Sequence, residues 1–244
     1  MIRFLLVATF VILFLVLSIP LLFIEWIIGK FNMDLKNKSS LAIVNWAFRV
    51  CLFLAGTSVT VIGEENVPKD VPVLYIGNHR SYFDTLITYI RVPRPTGYIA
   101  KKEMLRYPLL SNWMKNLHCL FLDRKDIKQG LKTILTAIEK VKSGISICIF
   151  PEGTRNRVND TFMEFHEGSF KIAEKTGCPI IPMSINNSAQ IFEDHIPKIK
   201  KAHVVLEYGK PIYPAELSKE ERKHLGVYTQ NIIKETYFKN KELV

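Results

Sequence analysis

The sequence predicts a layered α/β domain with a largely parallel or mixed sheet, preceded by an N-terminal hydrophobic helical membrane anchor. Three observations predict it. Seven short β-rich runs alternate with helical ones from Val59 onward. Those runs are mostly apolar, as strands covered by helices on both faces are. The excess of apolar residues sits at the N-terminus, in a stretch without charge.

Phe4 to Ile24 is that stretch, 21 residues long. At 1.5 Å per residue a helix of this length matches the bilayer's hydrocarbon core of about 30 Å. Pro20 lies near its end, where membrane helices tolerate a kink. The run is too long for the apolar core of a signal peptide, and no small-residue cleavage site follows. Arg3 precedes it, while Lys30, Lys36 and Lys38 follow. The positive-inside rule then puts the remaining chain on the cytoplasmic face of the cell membrane. A second apolar segment, Leu41 to Leu54, carries Asn45 and Arg49 on one helical face. It fits an interfacial helix or one packed under the domain. Residues 1–57 are therefore expected as membrane-associated helices and 58–244 as the domain.

The strand candidates are Val59–Ile62, Val73–Ile76, Tyr98–Ala100, Cys119–Leu122, Ile145–Phe150, Ile180–Ser184 and Val204–Tyr208. Helical runs cover Phe83–Ile90, Leu109–Leu117, Ile127–Lys142 and Ser169–Lys175. The third is the clearest. Asp126 serves as N-cap, Ile127, Leu131, Ile134, Leu135 and Ile138 make an apolar stripe, and Gly144 ends it. From Leu217 the tail reads as a charged amphipathic helix, a solvated cover.

The chain has 244 residues, of which 48% are hydrophobic, with a formal net charge of +10 from 33 Lys+Arg and 23 Asp+Glu. That balance calls for an anionic partner, such as a lipid surface or a phosphorylated substrate. The basic residues are dispersed and match no nucleic-acid motif, so nucleic acid is not expected. Cys51, Cys119, Cys148 and Cys178 are widely spaced. They suggest reduced thiols without a disulfide framework or metal site, with Cys148 in the core.

Two turns carry the chemistry. "GNHRSYFD" (Gly77–Asp84) ends an apolar strand with a cluster of polar groups. Ser81 and Asp84 fit a helix capping box, which leaves His79 unexplained. If the helix starts at Ser81, the first turn can bring the Asp84 carboxylate to the imidazole of His79. A carboxylate on one ring nitrogen leaves the other free as a base. "FPEGTR" (Phe150–Arg155) repeats the pattern of strand then polar turn. Pro151 stops the ladder, Gly153 permits a tight bend, and Arg155 offers a fork of donors suited to phosphate. The plain alternative is a solvated turn with a Glu152–Arg155 ion pair. Arg124 ends a further strand-like run, "CLFLDR".

Together these stretches resemble the bacterial 1-acyl-sn-glycerol-3-phosphate acyltransferases, within the lysophospholipid acyltransferase family. Asn78, His79 and Asp84 fit its N-H-x4-D block, and Phe150–Arg155 its F-P-E-G-T-R block. Phe121, Leu122 and Arg124 fit the block between, without its usual glycine. "IIPMS" around Pro182 fits the last block. The stretches "AKKEM" (Ala100–Met104) and "FHEGSFKIA" (Phe165–Ala173) are also similar. The resemblance spans about Val71 to Pro211. It implies acyl transfer from an acyl carrier protein or coenzyme A thioester to lysophosphatidic acid, with no cofactor and no metal. It implies catalysis by His79 and Asp84. Arg124, Glu152, Gly153, Thr154 and Arg155 would bind the glycerol phosphate. A hydrophobic channel for the acyl chain is expected, on a domain held against an anionic membrane surface.

Overall fold

The computed structural model describes residues 1–244. Three helices lead the chain: α1 (Ile2–Leu17), α2 (Ile19–Phe31) and α3 (Met33–Ala55). Then follow β1 (Thr57–Ile62), β2 (Leu74–Gly77), α4 (Phe83–Tyr89), β3 (Thr96–Lys101), α5 (Pro108–Asn116) and β4 (Leu120–Leu122). The second half contains α6 (Ile127–Lys142), β5 (Ser146–Ile149), α7 (Lys171–Thr176), β6 (Ile180–Asn186) and β7 (Ala202–Tyr208). The tail forms α8 (Lys219–Lys223) and α9 (Leu225–Lys239).

The strands form one mixed sheet in the order β1-β7-β6-β2-β5-β3-β4. Only the β6–β7 pairing is antiparallel; β2 pairs in parallel with both β5 and β6, and β3 with both β4 and β5. The five strands from β6 to β4 therefore end at one edge. The turns after β2 and β5 become neighbours there, with the chain after β4 and β6 on either side. This edge is where open α/β sheets place ligands.

Alternation along the buried strands divides the core in two. Tyr75, Cys148, Ile181 and Met183 face one cluster, built with Leu52 and Ala55 of α3, Ile87 of α4 and Trp113 of α5. Leu74, Ile76, Ile147 and Ile149 face the other, built with Ala137 and Val141 of α6, Ile172 of α7 and Ile233 of α9. The tail is thus more than a solvated cover. Its α9 buries Leu225 and Ile233 completely or nearly so. Likewise α3 is a wall of the domain, and the stretches before and after residue 57 share a core. Burying Leu52 alone contributes about 1.5–3 kcal/mol.

The uncharged N-terminal run is two helices rather than the single expected one. α1 and α2 meet at Ser18 with a bend of 48°. Pro20, in the first turn of α2, has no N–H for the Val16 carbonyl, so a straight ladder is interrupted there. Trp113 of α5 donates to the Ser18 hydroxyl at 2.9 Å and pins the bend to the domain. The outer faces remain apolar: Leu17, Phe23, Trp26 and Phe31 are exposed. α3 is long and apolar enough to cross a membrane, and so are α1 and α2 taken together across their bend. In α3, however, Val44, Leu52 and Ala55 are seated against the sheet.

Candidate active site

β2 ends at Gly77, and the next residues are fixed one by one. The Asn78 amide donates to the Ile185 carbonyl at 2.9 Å and accepts from its N–H at 2.8 Å, clamping the turn to β6. The His79 carbonyl accepts from Asn156 N–H at 2.8 Å, and the His79 N–H donates to Glu152 Oε1 at 3.0 Å. The His79 ring lies against Phe150, with centroids 4.4 Å apart and planes within 12°. Backbone and ring are therefore both immobilised.

His79 Nδ1 lies 2.8 Å from Asp84 Oδ2. The Asp84 side chain is fully buried, while the His79 ring keeps 19% exposure. Asp84 Oδ2 also accepts from the N–H groups of Arg80 at 2.7 Å and Ser81 at 2.8 Å. A buried carboxylate held by two amides stays aimed at one ring nitrogen. The other nitrogen, Nε2, makes no hydrogen bond within the protein and faces outward. Half of the expected capping box is present in the same turn. Asp84 reaches back to Ser81 N–H, but the Ser81 hydroxyl accepts from Phe83 N–H at 3.0 Å instead of capping Asp84.

The "FPEGTR" turn stands beside it. Gly153 has φ +71°, and a Cβ there would lie 3.3 Å from the His166 ring and 3.8 Å from the Arg124 guanidinium carbon. Arg124 and Gly153 are thereby brought together. Arg124 is partly buried, and that burial lowers its pKa from the ordinary value, with Glu103 opposing. The Thr154 hydroxyl makes no hydrogen bond within the protein. Glu152, expected among the substrate ligands, is buried and bonded to backbone. Its Oε1 accepts from His79 N–H and its Oε2 from Met163 N–H at 3.1 Å, so it ties the histidine turn in place. Burial pushes its carboxyl up, and the two N–H donors partly offset this.

Arg155 makes no ion pair with Glu152. Its Nη1 donates to Glu193 at 2.8 Å, and its guanidinium carbon sits 3.5 Å from the centroid of the Tyr82 ring. Sequence reasoning missed Glu193. It lies in a polar stretch after β6 with no motif around it, and only the strand order brings it here.

An apolar groove of about 930 Å³ begins at Phe150, Gly153 and His166 and runs along α6. Ile127, Leu131, Ile134, Leu135 and Ile138 line it. The apolar stripe read from the sequence is divided between core and groove. Ile138 is buried, while Ile127, Leu131 and Leu135 are more than half exposed along the groove.

The Acyltransferase family model matches residues 58–186, which include both turns. The chain belongs to the acyltransferase family. One relative, the 1-acyl-sn-glycerol-3-phosphate acyltransferase of Borreliella burgdorferi, is 34% identical over 187 residues, covering 76% of this chain and 74% of the relative. A probable enzyme of the same name from Mycoplasma genitalium is 30% identical over 202 residues, covering 78% and 74%. The crystal structure of the 1-acyl-sn-glycerophosphate (LPA) acyltransferase from Thermotoga maritima superposes with a TM-score of 0.80 at 24% identity. It covers 97% of this chain and 94% of that one, so the fold is shared from end to end. The family resemblance read from the sequence blocks and the layered α/β fold are both borne out. The chain is an O-acyltransferase.

Proposed function

We propose that this acyltransferase moves a fatty acyl group from a thioester to the sn-2 hydroxyl of 1-acylglycerol-3-phosphate, giving phosphatidic acid. The observation that carries the reading is the 2.8 Å contact of His79 Nδ1 with buried Asp84, which leaves Nε2 free beside the Arg155 turn.

The steps balance without a metal or a covalent enzyme intermediate. His79 Nε2 takes the acceptor's hydroxyl proton as that oxygen bonds to the thioester carbonyl carbon. Asp84 supports the imidazolium that forms. The tetrahedral intermediate then expels the thiolate, breaking the C–S bond. The imidazolium returns its proton to the departing sulfur, releasing free coenzyme A or acyl carrier protein. Arg155 addresses the acceptor phosphate, supported by Arg124 and by the Thr154 hydroxyl. The groove along α6 takes the fatty chain. The exposed apolar residues of α1 and α2, together with the net charge of +10, hold the domain on an anionic leaflet where the acceptor resides. Its site faces the cytoplasm, the source of the thioester.

The test is incubation of the purified protein with acyl thioesters and a panel of lysolipids, with products read by mass spectrometry. Phosphatidic acid made from lysophosphatidic acid is the expected product. Acylation of another lysolipid in its place, or thioester cleavage that needs no acceptor, would overturn the assignment.

A further inference from the structure

We propose that Glu193 is a positioning residue for the acceptor's phosphate: it holds Arg155 in a fixed orientation and ties it to the turn bearing His79 and Asp84. The proposal rests on the reading of Arg155 as the phosphate contact and deepens it.

Glu193 lies outside the matched family segment, seven residues past it. Its side chain is 8% exposed and takes three donors. Oε1 accepts from Arg155 Nη1 at 2.8 Å and from Tyr82 N–H at 2.8 Å, and Oε2 accepts from the Ser81 hydroxyl at 2.6 Å. Tyr82 also supplies the ring under the Arg155 guanidinium. One carboxylate therefore joins the two turns that the mechanism uses. The segment carrying it is itself braced. Phe192 stacks on Phe4 of α1 at 5.8 Å, and Gln190 bonds both Asp194 and His195.

A free arginine must lose rotamer freedom before it can grip a phosphate. Glu193 and Tyr82 remove most of that freedom in advance, while only Nη1 of the fork is occupied within the protein. The opposite expectation has equal clarity. If bare positive charge set acceptor affinity, Glu193 would weaken it by neutralising Arg155, and removing Glu193 would tighten binding. The two accounts differ in sign.

The experiment measures steady-state kinetics of Glu193→Ala, Glu193→Gln, Arg155→Ala and the double alanine variant, with lysophosphatidic acid and an acyl thioester varied separately. For Glu193→Ala the acceptor KM rises about tenfold, as loss of a hydrogen bond to a charged group predicts, while the thioester KM stays unchanged. Glu193→Gln keeps an oxygen for Arg155 and Tyr82, so its rise is smaller, about threefold or less. The double variant has the same acceptor KM as Arg155→Ala. The inference is overturned if the acceptor KM falls or stays unchanged in Glu193→Ala. It is equally overturned if both substrates' KM values rise together with a loss of thermal stability, or if the two alanine effects multiply. An unchanged acceptor KM in Arg155→Ala would remove the phosphate role of Arg155 itself, and with it the reason for Glu193.

Discussion

Replacing Asp84 with asparagine keeps the side chain's shape and removes its charge. In the parent, Oδ2 accepts from His79 Nδ1, Arg80 N–H and Ser81 N–H, whereas the buried Oδ1 has no partner. The amide oxygen of the introduced side chain would take the place of Oδ2, which puts the NH2 group where Oδ1 is now. The hydrogen bonds survive in outline, but the imidazolium formed during proton transfer loses its buried counter-charge. A hydrogen bond to a charged group contributes about 1.5–3 kcal/mol, so kcat should fall about 10- to 150-fold. The stranded NH2 group adds a folding cost of about 1–3 kcal/mol, which at this chain length lowers Tm by about 2–12 °C. The assay is continuous detection of released thiol, with a thermal melt on the same preparation. A folded Asp84→Asn protein with kcat within about threefold of the parent would refute the claim that this carboxylate supports a catalytic base.

Other expectations follow from the same geometry. Gly153→Ala places a methyl group against the His166 ring at a backbone with φ +71°. The left-handed conformation alone costs about 1–2 kcal/mol, so Tm drops by a few degrees; an unchanged melt would contradict the strain. His118 bridges Asn37 and Lys140, and burial, followed by the charges of Lys140 and Lys36, lowers its pKa to about 4 from 6.5. The folded state thus favours the neutral ring. Its contribution is complete above pH 6.5 and is lost as pH falls from there through about 4. His118→Asn should therefore show a smaller drop in Tm between about pH 7 and pH 4.5 than the parent, and equal drops would count against the shift.

The sheet was largely legible because buried strands in such folds are apolar runs ended by polar or glycine-containing turns. All seven runs became strands, and β2 and β5 end at Gly77 and Ile149, beside the polar turns that marked them. His79 and Asp84 were legible because their separation is local: one helical turn sets the distance. Contacts that depend on strand order were not. Glu193 meets Arg155 across 38 positions of chain, and no periodicity encodes that meeting. The plain alternative for Glu152, a surface ion pair with Arg155, rested only on their nearness in sequence. In the fold its oxygens turn inward to backbone amides, the cheaper arrangement for a buried carboxylate. The α6 stripe was legible as a face, but not what that face meets. Periodicity identifies an apolar face, and only the neighbouring elements decide whether that face is sealed or lines an open groove. At the N-terminus hydropathy located the apolar run, while the break at Ser18 depended on Pro20 and on Trp113 of a distant helix.

The imidazole of His79 as the base that activates the acceptor hydroxyl is the centre of this account. Its most direct test is the rate of acyl transfer by purified His79→Ala, measured beside its thermal melt. Turnover reduced by about 10² or more, with an intact melt, is the predicted result. A folded His79→Ala protein that acylates lysophosphatidic acid at close to the parent rate would contradict it.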